Sequence, residues 1–276
     1  MSGAMTHTFP SSPFAPLYVL GLGPGDSSLL APEAAAALAA SSLIVGYSGY
    51  VSLLSEEALA GKRIISTGMT GEMARANAAV DAALRGEPTA VVCSGDPGIY
   101  ALSGLVLELL EQRGLSAPDL PLRVIPGIPA LCAAAALLGA PLMHDFACIS
   151  LSDLLTPWQT IASRLRCAFQ GDFVVVLYNP RSKRRTTQLA EAVSTGLRHR
   201  GPDTPVGVVQ NAFRPGQRVD IVPLGDLAPE SVDMFTILII GNSTSRIVPG
   251  KGDRPLAWEC GARMLTPRGY MEKYGK

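Results

Sequence analysis

The chain has 276 residues, of which 47% are hydrophobic and 17% are charged, and its formal net charge is zero. This composition indicates a globular protein with a substantial core and excludes an intrinsically disordered chain. The balanced charge excludes a global basic field, so we expect no nucleic-acid partner. Any polyanionic ligand must be held by a local cluster of cations.

Cysteine and histidine usage argues against disulfide and metal chemistry. The five cysteines are odd in number and form no C-x-x-C pair, which favours buried structural thiols in a reducing cytosol. The three histidines are far apart, so we expect no metal site. Residues 1–16 lack the pattern of a signal peptide and are predicted to be a flexible tail. No apolar run is long enough to span a bilayer, so we expect no membrane partner and a cytoplasmic location.

Short apolar runs alternate with helical patterns along the chain, which predicts an α/β protein with mainly parallel sheets. After residue 140 the alternation restarts, which predicts two α/β/α domains, 17–140 and 141–246, followed by a C-terminal extension, 247–276. The predicted strands are 17–22, 43–45, 63–66, 89–93 and 122–125, then 147–151, 173–178, 206–210, 218–222 and 236–240. The predicted helices include 32–40, 72–84, 100–113, 129–138 and 186–199.

The first predicted strand runs into a glycine-rich segment, residues 21–26, with the sequence G-L-G-P-G-D. A dinucleotide-binding loop would have glycine in place of Asp26, and Pro24 removes a backbone N–H that would face a pyrophosphate. No acidic residue ends the second strand, so the pattern argues against a nicotinamide cofactor. Two interpretations remain: a plain tight turn, or a loop whose backbone lies close to another ligand.

Two further glycine-containing segments follow predicted buried strands. Residues 94–100 read S-G-D-P-G-I-Y and residues 126–130 read P-G-I-P-A. Glycine lets a ligand approach the backbone, and ligands of open α/β sheets bind beyond the carboxyl ends of the strands. Each segment is therefore a candidate binding loop, with an ordinary strand-to-helix turn as the alternative.

A basic cluster follows the strand predicted to end at Tyr178. Asn179 suits an N-cap and Pro180 a first helical position, which predicts that a helix begins here. Four cations follow within five positions, although the positive end of a helix dipole favours acids. They are either an anion-binding cluster or a solvated face, and helical spacing would bring three of them together: Arg181, Arg184 and Arg185.

Four of these patterns occur together in the order seen in the tetrapyrrole methylases of cobalamin and sirohaem synthesis. G-x-G-P-G-D, G-D-P, P-G-I-P-A and a strand ending in Tyr178 lie within residues 17–246, and this part of the chain resembles that family. The resemblance implies two α/β domains, a homodimer, and S-adenosylmethionine bound in the cleft between the domains, with S-adenosylhomocysteine as product. It assigns donor contacts to Pro24, Gly95, Asp96, Ile99, Pro129, Ala130, Tyr178 and Asn179, with Gln210, Thr236 and Ile237 completing the site.

Finer features are similar to the ring-contracting branch of the family. Segments 45–50, 150–158, 241–243 and 264–270 match that branch, and Asn179 stands where sirohaem-type members have methionine. The resemblance implies methylation of a corrin precursor at C17 with ring contraction, from precorrin-3B to precorrin-4. The alternatives are methylation at C11 or C20 in the same pathway, and a tetrapyrrole-binding protein without catalysis.

Methyl transfer from a sulfonium needs positioning more than a protein nucleophile, which agrees with a sequence that shows ligand loops and no obvious nucleophile. Acetate and propionate groups of the substrate call for arginine, and we expect Arg181, Arg184 and Arg185 to bind them. Ring contraction also moves a proton. The candidates are Ser152, Asp153, Tyr50 and His144, whose alternative roles are a cap, a turn residue, a half-buried phenol and a surface imidazole.

Overall fold

A computed structural model describes residues 12–116, 119–250 and 261–275, so the predicted tail and C-terminal extension lie partly outside the described residues. The strands are β1 Leu17–Gly21, β2 Leu43–Tyr47, β3 Arg63–Thr67, β4 Thr89–Cys93, β5 Leu122–Ile125, β6 Gly139–Ala140, β7 Phe146–Ser150, β8 Val174–Tyr178, β9 Pro205–Gln210, β10 Arg218–Pro223, β11 Thr236–Ile240, β12 Arg246–Val248 and β13 Arg263–Leu265. The helices are α1 Pro32–Ala40, α2 Ser48–Val51, α3 Glu56–Leu59, α4 Glu72–Leu84, α5 Ser103–Gln112, α6 Ala130–Leu138, α7 Trp158–Gln170, α8 Gln188–Leu197 and α9 Tyr270–Tyr274.

The chain divides into two units, Met1–Pro129 and Ala130–Lys276. This division lies before α6, whereas the sequence pattern places the boundary after residue 140. The difference arises because α6 packs on β9, β10 and β11 of the second unit. Leu138 of α6 lies so close to β9 that a Cβ on Gly207 would overlap its side chain.

The first unit contains a five-stranded sheet with the order β3-β2-β4-β1-β5, and every pair in it is parallel. One face of this sheet packs against α4 and α5, and the other packs against α1. Burial on both faces explains why β4 is buried along its whole length and is apolar after Thr89. The predicted α/β/α layering with a parallel sheet is confirmed in this unit.

The second unit contains a five-stranded sheet with the order β10-β9-β11-β8-β7, in which only β7 and β8 pair in parallel. The prediction of mainly parallel sheets is therefore wrong here. Residues 211–217 between β9 and β10 are too few for a crossover helix, so these strands form an antiparallel hairpin. β11 then lies antiparallel between β8 and β9. Helices α7 and α8 cover one face of this sheet, and α6 lies against β9, β10 and β11.

A small third sheet, with the order β12-β13-β6, includes residues that the sequence pattern assigns to a C-terminal extension. β13 pairs in parallel with β6, and the Thr266 amide donates to the carbonyl of Ala140 at 3.1 Å. Residues 263–266 are therefore an integral part of the second unit.

Two helices begin later than predicted. α5 begins at Ser103 instead of residue 100, and α8 begins at Gln188 instead of residue 186. The helix start expected next to Asn179 is also wrong, because no helix begins there. Tyr100 and Asn179 instead have positive φ angles of 52° and 51°, which an α-helix does not accommodate. Within the described residues, no helix is long and apolar enough to cross a membrane.

Candidate functional site

Three loops of the first unit meet at the carboxyl ends of the neighbouring strands β4, β1 and β5. We call residues 22–26, 94–98 and 126–129 the glycine-loop cluster. Gly23 and Gly95 exchange two backbone hydrogen bonds, with N···O distances of 3.2 and 2.8 Å, which join the loops after β1 and β4. Both have φ near +67°, at 66° and 68°, which glycine adopts without steric cost.

Glycines allow these loops to approach one another at backbone distance. A Cβ on Gly21 would lie 2.8 Å from the Cα of Gly127 and would overlap the carbonyl oxygen of Gly95. A Cβ on Gly127 would overlap the same oxygen. The glycines at the carboxyl ends of β1 and β5 are therefore required by packing between the loops.

Asp96 connects the second and third loops of the cluster. Its Oδ1 accepts a hydrogen bond from the Gly98 amide at 2.8 Å, and its Oδ2 accepts one from the Gly127 amide at 3.2 Å. One oxygen thus shapes the turn after β4, and the other holds the loop after β5. The contact to Gly98 joins residues close in sequence, whereas the contact to Gly127 depends on the fold.

The other site residues predicted in the first unit lie at the same edge of its sheet. Pro24 is buried, whereas Ile99 and Pro129 are half-buried. Tyr50 lies on α2, directly after β2, and its ring makes an edge-to-face contact with Tyr47 at 5.0 Å. All four follow the carboxyl ends of parallel strands.

Tyr178 organises the corresponding edge of the second unit. Its hydroxyl oxygen accepts a hydrogen bond from the Leu131 amide at 2.9 Å. That amide belongs to the first turn of α6, where helix N–H groups have no partner within the helix. The bond places Ala130, the first residue of α6, next to the end of β8.

Asn179 continues from Tyr178 in a left-handed conformation and makes contacts on two sides. Its Nδ2 donates to Ser150 Oγ at 3.0 Å, at the end of β7. Its carbonyl accepts two hydrogen bonds from Arg185, from Nε at 3.2 Å and Nη2 at 2.9 Å. A positive φ outside glycine costs free energy and persists only where the surroundings hold it, as these contacts do.

The basic cluster does not form the three-arginine face predicted from helical spacing. Arg185 is only 8% exposed and is turned inward onto Asn179. Burial lowers the pKa of its guanidinium, and the Asp153 carboxylate 4.0 Å away opposes this effect. Arg181 is half-buried and donates to the carbonyl of Pro229 at 3.0 Å. Of the three predicted substrate ligands, only Arg184 is exposed, because the segment is a loop and not a helix.

Gln210 and Thr236 are paired across β9 and β11 and lie at the same edge as Tyr178. Both side chains are held by Asp233, through Gln210 Nε2 at 2.8 Å and Thr236 Oγ1 at 3.0 Å. Ile237 follows Thr236 and is 8% exposed. The polar groups of this pair therefore position the strand ends.

Of the four residues proposed for proton transfer, Tyr50 lies on α2 of the first unit, and the other three are divided between the two ends of β7. Ser152 and Asp153 follow its carboxyl end, beside Asn179, and Asp153 Oδ2 accepts from Gln188 Nε2 at 2.9 Å. His144 precedes the amino end of β7, and its Nδ1 accepts from the Asp145 amide at 2.8 Å. A five-residue strand, about 16 Å long, separates His144 from the other two.

Two residues that position the candidate site could hardly be predicted from the sequence. Ser150 anchors Asn179, and Asp233 anchors Gln210 and Thr236. The Asp-x-x-Thr spacing of 233–236 is typical of a side-chain-stabilised turn and is the one local hint. Ser150 gains its role only through the pairing of β7 with β8.

The cysteines and acidic groups add no metal site within the described residues. Cys93 is buried, and burial raises the pKa of its thiol to about 11. Cys132 and Cys167 are exposed, so the expectation of buried thiols is wrong for these two. Their helices α6 and α7 turn them away from the apolar core, which sequence periodicity did not reveal.

Comparison with known proteins agrees with this arrangement. Residues 16–228 match the family of tetrapyrrole (corrin/porphyrin) methylases. A protein of Salmonella typhimurium named a probable cobalt-factor III C(17)-methyltransferase is 44% identical, over 92% of this chain and 99% of its own length. The cobalt-factor III methyltransferase of Priestia megaterium is also 44% identical over 94% of this chain, which spans 46% of that longer protein.

A solved structure supports the same relationship. The crystal structure of the methyltransferase CobJ is 36% identical in sequence and superposes with a TM-score of 0.80, covering 92% of this chain and all of CobJ. Because the family match extends over more than half of the residues and the Salmonella relative is covered almost completely, the chain belongs to the tetrapyrrole methylase family.

Proposed function

We propose that this protein is an S-adenosylmethionine-dependent methyltransferase that methylates a corrin precursor at C17 and contracts its ring, converting precorrin-3B or its cobalt-containing counterpart. The observation that carries the proposal is the glycine-loop cluster tethered by Asp96, in a chain 44% identical to a relative named for C17 methylation. The sister activities at C11 and C20 and a binding role without catalysis are outcomes of the test below.

The methyl donor supplies an activated methyl group, and we propose that the chain contributes mainly backbone contacts to it. Pro24, Gly95, Asp96, Ile99 and Pro129 lie at the carboxyl ends of strands in the first unit, where ligands of parallel sheets bind. The glycine-loop cluster fits a ligand recognised through amide and carbonyl groups, because its backbone is brought together without intervening side chains. We assign the remaining donor contacts to Ala130, Tyr178, Asn179, Gln210, Thr236 and Ile237.

The proposed reaction needs no protein nucleophile, because the protein contributes by positioning the methyl donor and the acceptor. Holding reactants in line contributes about 7–11 kcal/mol to lowering a barrier. The hydrogen bonds of Asp96, Tyr178 and Asn179 restrict the loops that would do so. For the proton movement of ring contraction we favour Ser152 and Asp153, which lie beside Asn179, over His144 at the opposite end of β7.

We also propose that the protein acts as a homodimer in the cytoplasm. The family resemblance motivates the dimer, and cysteine usage typical of a reducing cytosol motivates the location. Sedimentation equilibrium of the purified chain tests the first point, because a monomer at working concentration contradicts it.

The experiment on function uses donor carrying a labelled methyl group, with precorrin-3B and cobalt-factor III as separate acceptors. We expect label in the tetrapyrrole, a mass gain of one methyl group, and a new acyl group in the product. Labelling without the acyl group would indicate a sister activity. Donor and acceptor binding without transfer would contradict the enzymatic assignment, and tight binding of NAD measured by calorimetry would revive a dinucleotide site.

A further inference from the structure

Two loops of the second unit are held side by side at the carboxyl ends of β7 and β8. They comprise residues 151–157 and 179–187. The Asn179 side chain bonds to Ser150 at 3.0 Å, and Asp153 Oδ2 accepts from Gln188 at 2.9 Å. Asp153 Oδ1 also lies 4.0 Å from Arg185 Nη1. These contacts join the two loops into one surface.

This surface exposes two adjacent leucines. Leu154 is 80% exposed and Leu155 is 98% exposed, the two highest values among the exposed large hydrophobic residues of the described chain. Both directly follow Asp153, the residue that ties the two loops together. Single exposed leucines are common on protein surfaces, but a neighbouring pair at a binding edge offers a contiguous apolar contact.

The same surface exposes two cations. Lys183 and Arg184 are exposed, and they directly precede Arg185, which approaches Asp153. The other two cations of the cluster are engaged with backbone carbonyls, Arg181 with Pro229 and Arg185 with Asn179. The leucine pair therefore follows Asp153 in sequence, the cationic pair precedes Arg185, and Asp153 and Arg185 approach each other.

We propose that Leu154, Leu155, Lys183 and Arg184 form the surface that binds the tetrapyrrole, a proposal that rests on the function proposed above. The leucines lie against the apolar macrocycle, and the cations pair with its carboxylates. An apolar ring bordered by carboxylates is complementary to this combination, since apolar contact and charge pairing are offered on joined loops. The surface lies at the same edge of the sheet as Tyr178 and Asn179, which are assigned to the donor.

The test uses two double variants with matched controls. Leu154→Gln with Leu155→Gln removes the apolar pair, and Leu107→Gln on α5, 49% exposed, is its control. Lys183→Gln with Arg184→Gln removes the cations, and the control is Arg164→Gln, an exposed arginine of α7. Dissociation constants are measured by absorbance titration of precorrin-3B with S-adenosylhomocysteine present, and donor affinity is measured by calorimetry.

Both double variants should weaken tetrapyrrole binding by at least about tenfold, with donor affinity at the wild-type value. Added salt should weaken binding by the wild type and by the leucine variant more than binding by the cation variant. The control variants should bind as the wild type does. Variants that bind the tetrapyrrole with wild-type affinity would overturn the proposal.

A change in oligomeric state of the leucine variant, with tetrapyrrole binding unchanged, would overturn it too, because the leucines would then contact a second copy. The outcome also separates this proposal from the proposed function. A wild type that binds precorrin-3B without methylating it, and loses binding in the variants, supports the surface and refutes the activity. A wild type that methylates precorrin-3B, with variants that bind it as tightly as the wild type does, supports the activity and refutes the surface.

Discussion

Replacement of Asp96 by alanine should loosen the glycine-loop cluster and weaken donor binding. The carboxylate accepts two amide hydrogen bonds, one within its own turn and one from Gly127 in the next loop. A hydrogen bond to a charged group contributes about 1.5–3 kcal/mol, and the half-buried position of Asp96 favours the lower end of that range. We therefore expect the free energy of unfolding to fall by about 3 kcal/mol.

Donor affinity should fall as well, because the loop after β5 is then no longer tied to the loop after β4. We expect the dissociation constant of S-adenosylhomocysteine to rise more than tenfold, which is about 1.4 kcal/mol. The stability and donor affinity of Asp96→Asn should lie between those of the wild type and Asp96→Ala. An amide side chain keeps one acceptor oxygen but turns a donor NH₂ group toward the second backbone N–H. Urea unfolding measures the stability, and calorimetry measures the affinity.

Asp119→Ala is the matched control. Asp119 also accepts two hydrogen bonds, from the amide and the hydroxyl of Ser116 at 2.8 and 2.6 Å, but both are exposed and come from one residue close in sequence. We expect its donor affinity to equal that of the wild type. A folded Asp96→Ala protein with an unchanged donor dissociation constant would refute the reasoning, since the bond to Gly127 would then have no bearing on the donor.

Three further predictions follow from single contacts. Gly127→Ala should lower the free energy of unfolding, measured in urea, by about 1–3 kcal/mol because the new methyl group overlaps a carbonyl oxygen. The control Gly104→Ala, on α5 with open space around it, should raise that free energy by about 0.5–1 kcal/mol. Equal effects of the two substitutions would contradict the packing of the loops. Tyr178→Phe should lower the free energy of unfolding in urea by about 0.5–1.5 kcal/mol and weaken donor binding, because the Leu131 amide in the first turn of α6 loses its acceptor. Unchanged stability and donor affinity would contradict a role for this hydrogen bond. Burial raises the pKa of the Cys93 thiol from 9.0 to about 11, so the folded state keeps this proton to higher pH than the unfolded state. The resulting stability is present below pH 9 and falls by roughly 3 kcal/mol as the pH rises to 11. Cys93→Ala should flatten the dependence of the unfolding free energy on pH over that window, and parallel curves for the two proteins would exclude the effect.

The sequence alone was enough to locate the strand ends at which the candidate site lies. Buried strands appear as short apolar runs, and glycine and proline directly after them mark turns, so the positions of Pro24, Gly95 and Tyr178 follow from local patterns. The same patterns predicted the α/β class and the parallel sheet of the first unit, because that sheet is built from strand–helix repeats. The motif order then indicated the family, which comparison confirmed.

Only the tertiary structure decided which side chains of the basic cluster are exposed and which are buried against the fold. Arg184 and Arg185 are neighbours with equal charge, yet one is exposed and the other is buried against the carbonyl of Asn179. The antiparallel insertion of β11 and the packing of α6 on the second sheet likewise depend on contacts between residues distant in sequence. Local propensity carries no information about such contacts, because a side chain's partner is determined by where strands and helices meet in space.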